Sequence, residues 1–149
     1  MNITVDGEQA TKDLGQKIGS RLKGGEVFQL IGDVGAGKTT FTKGLALGMG
    51  VTEDVQSPSF TISRVYDAPA SPIADLQLAH YDFYRLNDAG IMASELTEAI
   101  NDPLTVTIIE WADIVAGVLP SDVITINFSS PTDNSRLLEV SDDFKDLFA

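Results

Sequence analysis

The stretch Gly32-Asp33-Val34-Gly35-Ala36-Gly37-Lys38-Thr39-Thr40 carries the residue types that hold a polyphosphate. Its glycines let the backbone wrap close, so that successive N–H groups and the N-terminus of a following helix point at an anion. Gly32-x-x-x-x-Gly37-Lys38-Thr39 has P-loop spacing, in which Lys38 reaches the β- and γ-phosphates and the Thr39 hydroxyl takes one Mg²⁺ position. A glycine-rich turn that merely contains a lysine is the plainer alternative. The context speaks against it, because an apolar strand-like run (27–31) precedes the loop and a helical run (41–49) follows.

Phosphate chemistry needs more than a P-loop. Mg²⁺ wants a carboxylate at the C-terminal end of a neighbouring apolar strand, and only residues 105–109 fit, ending at Glu110. Glu110 is therefore assigned to the metal, directly or through water, and could also orient the attacking water. Trp111, the single tryptophan, sits beside it and reads from its type alone as a core or partly buried aromatic with no catalytic part. On a strand, His80, Asp82 and Tyr84 share one face, an expensive set to bury without purpose. Asp82 could hold a metal-bound or attacking water with His80 fixing its orientation, or the two could be a structural hydrogen-bond pair. The hydroxyl-rich segment 57–61 stands where a γ-phosphate-sensing switch would, or is a simple connection.

The elements that must position these groups follow in order. Residues 2–5 make a short strand, turned by Asp6-Gly7. Thr11 is the expected N-cap of a helix to about Leu22, with Leu14, Ile18 and Leu22 as its buried stripe. Gly24-Gly25 ends it, and the P-loop helix should break at 48–50. Strands at 60–66 and 76–86, joined by a Pro-containing turn, suggest an antiparallel hairpin. A helix at 90–100, a central buried strand at 105–111, a short helix at 113–119 and strands at 123–128 and 136–140 complete the chain, with an acidic tail from 142. The sum is one α/β domain over 1–149, a three-layer P-loop NTPase-like fold with a mixed sheet of about seven strands.

Composition narrows the function. No apolar run approaches a membrane span, and the first eleven residues lack a signal-peptide pattern. With zero cysteines, disulfides and thiolate metal sites are excluded, and a reducing cytoplasm is the expected compartment. A net charge of −12 with 10 Lys+Arg argues against unaided binding of nucleic acid, so a partner would have to hold any RNA. No Asn-Lys-x-Asp segment gives a basis for guanine selectivity. The four arginines, Arg21, Arg64, Arg85 and Arg136, form no lid of the kind a small-molecule kinase uses to clamp its acceptor.

The P-loop at 32–40, Ser-Pro-Ser-Phe-Thr at 57–61, His-Tyr-Asp-Phe-Tyr-Arg-Leu at 80–86 and Ile-Glu-Trp at 109–111 together resemble the TsaE (YjeE) family. The chain departs mildly, with Val34 where that family favours Leu and Ser59 where it favours Thr. The resemblance implies a P-loop ATPase, weak alone, that supports synthesis of threonylcarbamoyladenosine (t6A) in tRNA. It also implies partners like TsaD and TsaB, which would hold the tRNA and do the chemistry on it. ATP and Mg²⁺ are the implied cofactors, with Gly32, Asp33, Val34, Gly35, Ala36, Gly37, Lys38, Thr39 and Thr40 around the phosphates. Thr39 and Glu110 look like Mg²⁺ ligands, Asp82 looks essential for hydrolysis, and Trp111 looks close to the nucleotide. Thr11 and a residue of the turn before Leu137 look placed to line the adenine pocket. A small-molecule phosphotransferase and a non-catalytic nucleotide sensor are the rival functions.

Overall fold

Thr105–Glu110 is buried at every position, as a run of β-branched residues covered on both faces should be. It lies near the middle of a seven-stranded sheet in the computed structural model, which describes residues 1–33, 37–56, 63–84 and 90–149. The strands are β1 (Asn2–Asp6), β2 (Val27–Ile31), β3 (Ser63–Asp67), β4 (Gln77–Asp82), β5 (Thr105–Glu110), β6 (Ile124–Ser129) and β7 (Ser135–Val140), in the order β1-β7-β6-β2-β5-β4-β3. Neighbours among β6, β2, β5 and β4 run parallel. The flanks β7, β1 and β3 are antiparallel, and β3 with β4 is the expected hairpin.

Helices cover both faces. On one, α1 (Gly7–Gly19) and α2 (Lys38–Met49) lie over Phe28, Leu30, Ile108 and Ile126. On the other, α3 (Met92–Asn101) and a 3-10 helix, Ala112–Val118, pack their Leu96 and Val115 against Val27, Tyr81 and Ile109. The last turn, α4 (Lys145–Phe148), buries Phe148, and Arg21 donates to the Leu147 carbonyl to tie it to the residues after α1.

Two expectations need correction. Helix α1 starts at Gly7, four residues before Thr11, so Thr11 is no N-cap; its hydroxyl donates back to the Gly7 carbonyl at 3.0 Å inside the helix. The helix also ends at Gly19 rather than near Leu22, although the expected stripe does face the core, with Ile18 and Leu22 buried and Leu14 half-buried against it. Gly15 and Gly19 are fully covered beside it. The cause is the partner helix. A Cβ on Gly15 or Gly19 would run into the α2 backbone at Phe41 and Leu45, and one on Gly44 or Gly48 into the α1 backbone at Lys12 and Gln16. The two helices therefore touch backbone to backbone. Helix α2 ends within the expected stretch 48–50, running to Met49 and stopping at Gly50, whose left-handed φ of 105° closes it.

Candidate active site

Helix α2 begins abruptly. Its N-cap is Gly37 at φ 102°, a conformation that costs other residues steric strain. Gly37 has no side chain to cap the free N–H groups and the first turn holds no acidic residue, so among the described residues the positive end of the helix is open to an anion. The first helical residue is Lys38, a buried lysine directed at the sheet. Its ammonium donates to the Gly32 carbonyl at 2.6 Å, lies 3.6 Å from Glu110 Oε1 and sits 4.9 Å from the centre of the Trp111 ring. Both loop and strand-end groups thus meet at one cation.

Glu110 arrives from β5, where it pairs in register with Asp82 of β4. Both carboxylates stand at the C-terminal ends of parallel strands, the edge at which open α/β sheets bind ligands. Glu110 is 4% exposed and its second oxygen, Oε2, lies 2.8 Å from His80 Nε2. The expectation that His80 orients Asp82 is therefore corrected: His80 sits one pleat further back on β4 and bonds diagonally across to Glu110. Asp82 is half-buried, and its Oδ1 accepts from the Tyr84 backbone N–H at 3.0 Å.

Burial raises the Asp82 pKa; the Tyr84 N–H opposes this, nearby Glu110 adds to it, and His80 and Lys38 pull it back down. The folded value thus exceeds the unfolded one. The stability tied to protonated Asp82 is complete below the ordinary carboxylate pKa of about 4 and is lost as pH rises through the raised value. Asp82→Asn keeps an oxygen for Tyr84 N–H and removes the charge. Its melting temperature should exceed the parent's at neutral pH, and the two should converge in acid. A variant less stable than the parent at neutral pH would contradict this.

Trp111 is 37% exposed and belongs to neither apolar core cluster, so of the two placements its type suggests, core or partly buried, it is not the core one. It has a left-handed backbone, φ 56°, unusual for a bulky residue, and its ring meets that of Tyr84 at 4.7 Å. Thr39 is exposed and Thr40 half-buried on the first turn of α2, whereas Thr42 is buried and returns its hydroxyl to the Lys38 carbonyl. Asp33 is exposed directly after β2. Thr11 and Arg136 flank the end of the loop, since a Cβ placed on Gly37 would touch both side chains at 3.6 Å. The sequence points only to some residue of the turn before Leu137; no local pattern singles out Arg136, which stands on β7 in register with Val5 of β1. Val34, Gly35 and Ala36, the 57–61 segment, and Arg85 with Leu86 lie outside the described residues.

The donors fit Mg²⁺ held with a nucleotide. Among the described residues no group of three His, Cys, Asp or Glu side chains could hold a metal alone. Mg²⁺ is commonly held by one or two carboxylates together with substrate phosphates, so Glu110 beside an uncapped helix start supplies what that mode needs.

The profile of the family described as "Threonylcarbamoyl adenosine biosynthesis protein TsaE" matches residues 5–138. The chain belongs to the TsaE family. The tRNA threonylcarbamoyladenosine biosynthesis protein TsaE of Bacillus subtilis (strain 168) is 38% identical over 133 residues, covering 89% of this chain and 79% of that one. The protein of the same name from Treponema pallidum (strain Nichols) is 37% identical, covering 89% and 94%. The crystal structure of YdiB from Bacillus subtilis superimposes with a TM-score of 0.74 at 30% identity, over 99% of this chain and 90% of that one. The TsaE α/β fold is thus shared along nearly the whole chain. Among the described residues no helix is long and apolar enough to cross a membrane.

Proposed function

We propose that this TsaE-family chain binds and hydrolyses ATP in support of t6A formation in tRNA, acting on a TsaB–TsaD-type complex in the cytoplasm. The observation that carries the reading is the meeting of Lys38, from the uncapped start of α2, with Glu110, from the end of β5. A buried cation and a buried carboxylate held there between helix and sheet are suited to a polyphosphate and its metal.

In this reading Lys38 leaves the Gly32 carbonyl for the β- and γ-phosphates, and the α2 N–H groups neutralise charge that grows in the transition state. Mg²⁺, held by Thr39 and Glu110, supplies further charge neutralisation and orientation when bound. Asp82 positions the attacking water. Among the described residues its Oδ1 accepts from Tyr84 and its Oδ2 is not engaged, and a raised pKa makes it a better proton acceptor than an ordinary carboxylate. Thr11 and Arg136, beside Gly37, border the side on which the rest of the nucleotide would lie. The acidic surface, with a net charge of −12, supports the view that partners hold the tRNA.

The test is calorimetric binding of Mg·ATP together with phosphate release. The parent should bind and release phosphate with no acceptor metabolite, and Lys38→Ala should lose at least tenfold in binding, the equivalent of about 1.4 kcal/mol. Turnover that requires an added acceptor would point instead to a phosphotransferase. Function that survives Asp82→Asn and Glu110→Gln but not Lys38→Ala would point to a sensor.

A further inference from the structure

His80 is the only histidine in the chain and is fully buried. It occupies a position on β4 flanked by the apolar Leu78 and opposite Ile108 of β5, where an aliphatic residue would pack without polar cost. Among the described residues its ring makes one polar contact, Nε2 to Glu110 Oε2 at 2.8 Å, while the buried Nδ1 finds no hydrogen-bond partner. A proton on Nδ1 would be sealed in with no acceptor. A bare lone pair there is far more tolerable, and the single proton of the neutral ring then belongs on Nε2, aimed at the carboxylate.

Glu110 thereby has its two oxygens divided. Oε2 is occupied by the histidine, and Oε1 is the one that faces Lys38, at 3.6 Å. The length of glutamate suits this geometry. Its in-register neighbour on β4 is Asp82, so contact with His80 requires a side chain that reaches one pleat back. An aspartate at 110 would be a methylene shorter for that diagonal.

We infer that His80 is the positioning residue for Glu110: its Nε2–H fixes Oε2, so that the carboxylate presents a single oxygen, Oε1, in one orientation to the nucleotide-bound metal. This rests on the reading of Glu110 as the metal-facing carboxylate. His80 touches no reacting atom and acts only through Glu110, in the way that outer partners orient metal-binding groups.

Two measurements on the full chain test it. Histidine-selective ¹⁵N labelling gives one ring, and its spectrum should show a protonated Nε2 and an unprotonated Nδ1, with the Nε2 signal moving in Glu110→Ala. A proton on Nδ1, or an averaged pair of signals, would overturn the inference. The second measurement is Mn²⁺ affinity by electron paramagnetic resonance in the presence of a non-hydrolysable ATP analogue. His80→Leu should weaken it roughly 10–100-fold, the usual effect of removing such a partner. His80→Gln, whose amide can donate from nearly the same place, should recover most of the loss. Weakening in Glu110→Ala with none in His80→Leu overturns the inference alone. Unchanged affinity in Glu110→Ala overturns the role given to Glu110 itself. Should His80→Leu fail to fold, the spectra of the parent and Glu110→Ala still decide, since neither needs it.

Discussion

Alanine at Gly44 should lower the melting temperature by several degrees, although alanine is the better helix former. The substitution gains about 1 kcal/mol of helix propensity. Against that, its Cβ would lie 2.9 Å from the Lys12 carbonyl carbon and closer still to the oxygen. Those atoms are backbone, so no rotamer change relieves the overlap and α1 must move away from α2. Overpacking of this kind sits at the upper end of its usual range, about 3 kcal/mol. The net loss is about 2 kcal/mol, or roughly 4–8 °C in a domain of this size. The damage should reach function too, because α2 carries Lys38 and Thr39 on its first turn and α1 carries Thr11 beside Gly37. Gly117 provides the control. A Cβ there meets nothing within 4 Å, so Gly117→Ala should leave the melting temperature unchanged or raise it. Equal melting temperatures for Gly44→Ala and the parent would show that the helices do not meet by their backbones.

Glu110→Ala should lose hydrolysis by about 10²–10³-fold, the scale on which removal of one preorganised electrostatic group is felt. It should also cost stability. Among the described residues Lys38 would keep the Gly32 carbonyl and the Trp111 ring, and His80 would be left with no partner at either ring nitrogen. Breaking a buried ion pair costs about 3–5 kcal/mol; the 3.6 Å separation and the surviving Gly32 contact place this one at the low end. Glu110→Gln separates the two effects. Its amide oxygen still accepts from His80 but its charge no longer balances Lys38, so stability should fall less than in the alanine variant while hydrolysis falls as far. Hydrolysis retained in Glu110→Gln would remove the carboxylate from the chemistry.

What was legible in the sequence was local. A β-branched run bounded by polar residues located β5, and the P-loop spacing located the start of α2 at Lys38. The seven strands and the β3–β4 hairpin followed from alternation and turn residues. What escaped depends on which elements become neighbours. Gly15 with Gly19, and Gly44 with Gly48, have helical i,i+4 spacing, but each pair reads as weakness until the two helices are laid together. Thr11 looked like a cap because Asp6 and Gly7 already form a turn, and nothing local shows that the helix begins inside it. His80 and Asp82 looked like partners because they share one face of one strand. The parallel pairing of β4 with β5 gives His80 a different partner, and that pairing is set by a connection through α3 rather than by any pattern within residues 77–82.

The claim at the centre of this account is that nucleotide hydrolysis at Lys38, Asp82 and Glu110 is coupled to a t6A-forming complex. The most direct measurement is phosphate release by the purified chain, alone and with TsaB, TsaD and tRNA, for the parent and Glu110→Gln. Release should be slow alone, rise when the partners and tRNA are added, and collapse in the variant under both conditions. A rate in the parent that ignores the partners would contradict the coupling.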